Sequence, residues 1–457
     1  MNHMKRRQFI KRVVQTAAAV SASTAFSAQR VLGANERVNV ALIGCGGRGL
    51  AVAKLMRAVP GVDFVAVCDV YDPRAATARE WAGNHAKSFR DFRKVLELKE
   101  VDAVLIATPD HWHAIPTVLA CQAEKDVYVE KPLGHNIREE RTVVTTAKRS
   151  NRIVQVGTQQ RSAPHYAEAA RIVQSGAIGP VHFIRIWNFT NMFPNGIGRV
   201  ADSEAPPDVD WDMYLGPAPK VPFNKNRFVN TYRWFWDYGG GMVTDFGIHR
   251  FDTMHQVTGA EAPVTVSATG RRYELNDGAE TPDVVQVTHE YPNFVLSYEA
   301  TNLNSLGTAA RTPGQPYYGA RGDFDHPHGE AFYGTNGTLM SNRLGFEILP
   351  ELKAPSGPGA VGRSERPPGF RMERKAMSGE DATALHVKNF IECVRSRKQP
   401  VATVEMGHRA SIVAHLGNIA YRTGRKIRWD ASKEQIIGDA DASKLLGRKA
   451  RKPWDLI

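Results

Sequence analysis

Three side chains in this sequence have types and spacing suited to moving a hydride and a proton together: Lys131, Asp245 and His249. Lys131 stands in Glu130-Lys131-Pro132, directly before a proline that rigidifies the loop and admits a cis bond. Asp245 and His249 lie four residues apart behind Gly239-Gly240-Gly241, the spacing that puts two side chains on one helical face. Oxidising a secondary alcohol needs a base for the hydroxyl proton while hydride leaves the carbon. Histidine titrates near neutrality, so His249 is the candidate base, with Asp245 to orient the imidazole and stabilise its cation. Lys131 can donate to the reacting hydroxyl or join a proton relay.

A hydride needs an acceptor, and one is indicated upstream. Gly44-Cys45-Gly46-Gly47-Arg48-Gly49 fits G-x-G-x-x-G through Gly44, Gly46 and Gly49. It follows a short β-branched run at 38–43 and precedes a helical stretch at 48–59. A second strand at 62–68 ends at Asp69, as a dinucleotide fingerprint requires. A carboxylate there accepts from the ribose hydroxyls and repels a 2′-phosphate, which favours NAD. Arg74 keeps NADP as an alternative. Gly47 and Arg48 complete the expected phosphate-binding turn. Strands at 101–107, 127–129 and 153–156 and helices at 74–83, 115–123 and 138–150 continue the alternation of a parallel, doubly wound sheet. Ligands bind at the carboxyl edge of such a sheet. That places Thr108, Pro109, His111 and His113, and then Glu130 and Lys131, at the cofactor. His111 and His113 also suit a metal, but no carboxylate or thiol joins them at a recognisable spacing, so no metal site is expected.

After about residue 160 the rhythm changes. A helix at 165–175 and a strand at 181–189 precede a stretch at 191–230 rich in Pro, Gly and Asn. A helix at 242–258 carries Asp245 and His249. Strands at 263–269, 284–291 and 295–300 follow without intervening helices, which predicts an α+β domain with a largely antiparallel open sheet. Helices at 382–397 and 405–423 close the fold. Loops at 301–330 and 350–377 are long enough to be functional or mobile. In this domain Trp187, Trp234, Trp236 and Tyr238 could stack on sugar faces, while Gln159, Gln160, Arg161, Asn188 and Asn191 offer hydrogen bonds. Gln160, Arg161, Trp234 and Tyr238 are the candidate substrate contacts.

A chain of 457 residues exceeds one ordinary core. The partition expected is 1–34 as a signal segment, 35–160 as the nucleotide-binding domain, 161–430 as the substrate and oligomerisation domain, and 431–457 as a basic, solvated tail. Half of the net charge of +12 comes from Lys5, Arg6, Arg7, Lys11, Arg12 and Arg30. Lys444, Arg448, Lys449, Arg451 and Lys452 add a second local cluster. With no aromatic-interleaved basic stripe elsewhere, nucleic acid is not an expected partner. Lys5-Arg6-Arg7-Gln8-Phe9-Ile10-Lys11 before an alanine-rich run resembles a twin-arginine export signal, too short and polar to span a bilayer stably. No cysteine follows that run, which excludes a lipid anchor there. The export machinery is thus an expected partner and the periplasm the expected location. A cofactor made in the cytoplasm must then travel tightly bound. Cys45, Cys68, Cys121 and Cys393 lack metal-type spacing and suit small buried positions.

With these motifs assembled, the chain resembles the Gfo/Idh/MocA family of dinucleotide-dependent oxidoreductases over about residues 36–430. The resemblance rests on the glycine turn, Glu130-Lys131-Pro132, and Asp245 with His249 behind the glycine run. It implies a Rossmann domain followed by an α/β domain whose open sheet supports homo-oligomers, dimers or tetramers. It also implies catalytic positions at Lys131, Asp245 and His249, with His249 the base, and sugars, inositols or their derivatives as substrates. Asp110-His111-Trp112-His113 and Trp211-Asp212-Met213-Tyr214-Leu215-Gly216-Pro217 are similar to an exported bacterial subgroup associated with carbohydrate breakdown. The expected activity is NAD(P)-dependent hydride transfer at a secondary alcohol or ketone carbon of a sugar, glycoside or polyol. Two alternatives stand beside it. One is a glycoside-cleaving enzyme that oxidises a ring carbon transiently and recycles its NAD. The other is a non-catalytic carbohydrate-binding protein, against which the intact Lys131, Asp245 and His249 argue.

Changing Arg6 and Arg7 together to lysine is expected to leave the precursor in the cytoplasm. Immunoblotting of periplasmic and cytoplasmic fractions checks this, and undiminished periplasmic protein would reject twin-arginine routing.

Overall fold

The computed structural model describes residues 37–305, 328–353 and 369–455. The expected signal segment at 1–34 and most of the two long loops lie outside the described residues.

The first sheet forms where the sequence is apolar on both faces. Its elements run β1 (Val38–Ile43), α1 (Gly47–Arg57), β2 (Val62–Cys68), α2 (Asp72–Ala82), β3 (Lys87–Phe89), α3 (Phe92–Leu96), β4 (Ala103–Ile106), α4 (Ala114–Gln122), β5 (Asp126–Val129), α5 (Ile137–Arg149) and β6 (Val154–Val156). β4, β5 and β6 are wholly buried, as strands covered by helices on both sides must be. All pairings are parallel, in the order β3-β2-β1-β4-β5-β6. The chain reverses direction across the sheet between β1 and β4, the switch point where ligands bind in such folds. β3 and α3 are too short to show a period in the sequence and were not expected.

The second half begins with α6 (Pro164–Gln174), β7 (Val181–Phe189), α7 (Trp211–Leu215), α8 (Gly241–Asp245) and α9 (Gly247–Thr258). The strands β8 (Thr265–Arg271), β9 (Val284–Glu290), β10 (Val295–Thr301), β11 (His328–Gly334), β12 (Gly337–Asn342), β13 (Gly345–Pro350) and β14 (Lys375–Ser378) follow. α10 (Thr383–Ser396), α11 (Val404–Thr423), β15 (Ile427–Asp430), β16 (Gln435–Ile436) and α12 (Ala440–Lys444) complete the chain. The ten strands form one sheet, β14-β13-β12-β11-β7-β10-β9-β8-β15-β16, antiparallel except for the central β7–β10 pair. Alternation sets its two faces. Ile184, Ile186, Val285, Val287, Leu296 and Tyr298 point into a core shared with α6, α9 and α11, while Phe183, Arg185, Gln286 and Glu299 point outward.

Two parts of the chain depart from the expected partition. α10, placed in the second domain from its position in the sequence, packs on the first sheet. Its Val387, Phe390, Ile391 and Cys393 are buried with Val52, Ala53 and Met56 of α1. The C-terminal segment is not a solvated tail. Trp454 is buried against Trp112, with ring centroids 4.8 Å apart. Arg448 donates to Glu139 at 2.7 Å and to the His111 carbonyl at 2.8 Å, and Arg451 donates to the Gly216 carbonyl at 2.9 Å. Arg448 and Arg451 are engaged in tying the segment to the rest of the fold, while Lys444, Lys449 and Lys452 stay exposed. Among the described residues no helix is long and apolar enough to cross a membrane.

Several histidines are built into this packing in their neutral form. Burial pushes His255, His289 and His386 down to about 3, 4 and 4. In the unfolded chain each titrates near 6.5. Between those limits the unfolded state binds a proton that the folded state refuses, so stability falls with pH by about 1.4 kcal/mol per pH unit for each such histidine. Urea midpoints are expected to drop steeply from pH 7 to pH 5, with a shallower drop in His289→Gln. Equal midpoints at the two pH values would contradict this account.

Candidate active site

The glycine turn carries the chain from β1 into α1 at the switch point. Gly44 has φ of 90°, and a Cβ there would lie 2.6 Å from the Ala107 carbonyl. On Gly49 it would lie 2.1 Å from the Gly44 oxygen. Only glycine permits both approaches. The turn brings the α1 N-terminus to the cleft, where the N-cap Gly46 supplies no side-chain hydrogen bond. The first-turn N–H groups, with no intrahelical partners, suit a phosphate. Asp69, at the end of β2, accepts from the backbone N–H of Cys45 at 2.7 Å and of Tyr71 at 2.9 Å. Burial raises its pKa, and those N–H groups and Arg74 work against the rise.

A cleft of about 370 Å³ follows this edge. It brings together Gly44, Gly46, Gly47, Arg48, Asp69, Thr108, Pro109, His113, Glu130, Lys131, Asp245 and His249, twelve positions singled out from the sequence. Uncapped N–H groups at one end and a half-buried carboxylate beyond β2 fit the pyrophosphate and ribose of a dinucleotide. Arg48 donates from Nε to Glu130 Oε1 at 2.8 Å, pinning α1 to the end of β5. The ring nitrogens of His113 lie 2.5 Å from the Pro132 carbonyl and 2.9 Å from the Thr108 carbonyl, so this histidine joins two strand-end loops. The Lys131–Pro132 peptide bond is cis.

The catalytic candidates converge, but not as expected. Asp245 and His249 do not share one uninterrupted helix: α8 ends at Asp245 and α9 starts at Gly247. Asp245 therefore does not orient His249. Its Oδ1 accepts from Lys131 Nζ at 2.8 Å and from Arg233 Nε at 3.1 Å, and Lys131 also donates to its backbone carbonyl. The Lys131 and Asp245 side chains are 12% and 13% exposed. Burial opposes ionisation of Asp245, but Lys131 and Arg233 outweigh it and hold the carboxyl at about 2. His249 is buried, and its Nδ1 has no partner among the described residues. Burial, reinforced by the positive charges of Lys131 and Arg343, keeps this imidazole neutral well below its usual range.

Other expected contacts fall elsewhere. Gly49 lies beneath the turn and does not line the cleft. His111 does not line the cleft: its buried ring sits 2.8 Å from the Tyr214 carbonyl and against Tyr238. None of the four substrate candidates lines the cleft. Gln160 donates to Tyr166, Arg161 pairs with Asp252 at 2.8 Å, Trp234 packs in the core and Tyr238 is fully buried. Their neighbours Gln159 and Arg233 line it instead, with Asp110, Tyr232, Phe246 and Arg343. Tyr232 donates to Asp110 at 2.9 Å. The chain at 208–233 folds over the cofactor end, where Val229 holds a φ of 59° that a β-branched residue rarely adopts. The Pro, Gly and Asn content of 191–230 signals such a functional loop, but not which residues face inward. Among the described residues no group of three or more His, Cys, Asp or Glu is arranged to hold a metal.

Comparison with known proteins agrees with this geometry. A family model described as an oxidoreductase family with an NAD-binding Rossmann fold matches residues 38–158. Its companion, the C-terminal alpha/beta domain of the oxidoreductase family, matches 165–291 and 368–456. The chain belongs to the Gfo/Idh/MocA oxidoreductases. The first of these models is NAD-binding by its description, and NAD is the cofactor that the cleft takes. The chain is 26% identical over 375 residues to scyllo-inositol 2-dehydrogenase (NAD(+)) of Bacillus subtilis (strain 168), covering 80% of this chain and 89% of that protein. It is 27% identical over 304 residues to a glycosyl hydrolase family 109 protein of Saccharopolyspora erythraea, covering 62% and 60%. Levoglucosan dehydrogenase, solved with NADH and levoglucosan, shares the fold at a TM-score of 0.61 and 19% identity, over 86% of this chain and 99% of that one.

Asp69 anchors the turn and also lines the cleft. Asp69→Ala is expected to weaken NAD binding more than NADP binding and so narrow the preference, as measured by cofactor fluorescence titration. A wild-type protein that prefers NADP would show that Arg74 dominates instead.

Proposed function

We propose that this Gfo/Idh/MocA oxidoreductase interconverts a secondary alcohol and a ketone on a cyclic polyol or sugar. What carries the reading is one juxtaposition: a neutral His249, its Nδ1 without a partner among the described residues, in the same cleft as a Lys131 ammonium tied to Asp245. NAD supplies the hydride acceptor. His249 takes the hydroxyl proton, which a neutral imidazole can do and an imidazolium cannot. Lys131 has three N–H donors, and Asp245 engages two of them. The third is left to bind the substrate oxygen and stabilise its developing negative charge. Asp245 holds that ammonium in place, and Arg233 holds Asp245. The inositol dehydrogenase relative supports a polyol, and the second domain provides the cleft wall that would select it.

The glycosyl hydrolase relative supports a second reading, transient oxidation of a glycoside with recycling of NAD. Release of nitrophenol from a nitrophenyl glycoside with no net NADH would favour it. We also propose export by the twin-arginine route, tight retention of NAD, and self-association through the outward face of the ten-stranded sheet.

His249→Ala is expected to lower kcat by about 10²–10⁴ while leaving the Kd for NAD nearly unchanged. NADH formation across inositols and anhydrosugars reads the first, and calorimetry the second. Because His249 stays neutral below its ordinary range, the acid limb of kcat/KM for alcohol oxidation should fall below pH 6.5. Wild-type turnover by the alanine variant would reassign the proton to another group, Lys131 foremost.

A further inference from the structure

Behind the active site lies a buried chain of titratable groups that the reaction as described leaves unused. Asp110 is, among the described residues, the one side chain that lines both the cleft and a second cavity of about 40 Å³. His135 and His415 also line that cavity, and His135 Nδ1 is buried without a partner among the described residues. The space exceeds the roughly 10–15 Å³ that one water needs, and its wall is polar enough to hold one. From His415 the path continues through direct contacts. His415 Nε2 is 3.2 Å from Glu140 Oε1, Glu140 Oε2 is 3.0 Å from His408 Nδ1, and His408 Nε2 is 2.9 Å from Glu434 Oε1. The Glu140 and His408 side chains are fully buried, whereas that of Glu434 is 19% exposed.

We propose that Asp110, a water in the small cavity, His415, Glu140, His408 and Glu434 form a proton exit from the active site to solvent. The inference rests on the proposed alcohol oxidation. In that step the C–H bond breaks with its electron pair going to the cofactor, the O–H bond breaks, and one C=O bond forms. One proton is left over per turnover. Its direct way out is the cleft, which dinucleotide and substrate fill. Asp110 lines the same cleft as Lys131, Asp245 and His249, and Tyr232 of that cleft donates to its Oδ1 at 2.9 Å, so the relay starts at the wall of the catalytic cleft. Each later group accepts a proton on its inner side and gives one up on its outer side. One proton enters at Asp110, one leaves at Glu434, and every group returns to its starting charge. Arg141 pairs with Glu434 and Glu405 at the outer end, and His408 together with Arg141 keeps the terminal carboxylate charged.

The decisive experiment is a single turnover of scyllo-inositol with NAD in a stopped-flow instrument, following NADH absorbance and a pH-indicator dye together. In the wild type the two traces should coincide. In His415→Gln and in Asp110→Asn, proton release should lag NADH formation by about tenfold or more. Added imidazole should abolish the lag in His415→Ala. Melting temperature and NAD affinity report folding separately, and coincident traces in either folded variant overturn the relay. If the wild type oxidises no inositol or anhydrosugar, the proposed function fails, and the relay is judged without substrate. Solvent exchange of the His408 and His415 ring N–H groups, read by NMR of ¹⁵N-histidine-labelled protein, should slow about tenfold or more in Glu434→Gln. Unchanged exchange in that variant overturns the relay by itself.

Discussion

The ion pair between Lys131 and Asp245 is the constraint around which this molecule is organised. Lys131 follows β5 of the first sheet and Asp245 ends α8 of the second half, so their contact of 2.8 Å helps to hold the two halves in register at the cleft. Both side chains are nearly buried, and a pair in that setting gains little net stability because desolvation offsets the Coulomb attraction. What it provides is position. Losing either partner would leave an uncompensated buried charge, which typically costs about 3–5 kcal/mol. The second cation, Arg233, extends the pair into the segment that closes over the cofactor end.

Burial acts on Asp69, Asp245 and His249 in the same sense, against charge, and the neighbours decide the outcome. At Asp245 two cations reverse it and the carboxyl stays ionised. At His249 the surrounding cations act in the same direction as burial, and the imidazole stays neutral. At Asp69 burial wins over three backbone N–H groups, those of Tyr71, Cys45 and Val70, and over Arg74. One cleft thus holds a charged anchor and a neutral base a few residues apart in sequence, a separation of protonation states that acid–base chemistry needs.

The halves are joined by more than the cleft. α10 returns from the second half to cover the first sheet. α5 and α11 share the Glu140, His408 and His415 cluster. The last residues wrap back so that Trp454 fills a gap beside Trp112. Each contact fixes the distance between glycine turn and His249, which a hydride transfer cannot tolerate varying.

The sequence by itself determined the parallel sheet, its glycine turn and Asp69, because those depend on local rules: β-branched runs, missing β-carbons, and a carboxylate at a strand end. It also singled out Lys131, Asp245 and His249, which the structure brings to one cleft, since their types and spacing are legible in one dimension. It could not determine who pairs with whom. The four-residue spacing suggested an Asp245–His249 couple, but a break at Phe246 and the arrival of Lys131 from 114 residues away redirected the carboxylate. Gln160 and Arg161 have the chemistry of a sugar contact, yet Tyr166 and Asp252 take them, and Gln159 faces the cleft in their place. The basic C-terminus looked like a solvated end until its partners, Glu139 and the carbonyls of His111 and Gly216, were brought beside it. Local conformation depends on neighbours along the chain, whereas pairing, burial and protonation depend on neighbours in space, and only the tertiary structure supplies those.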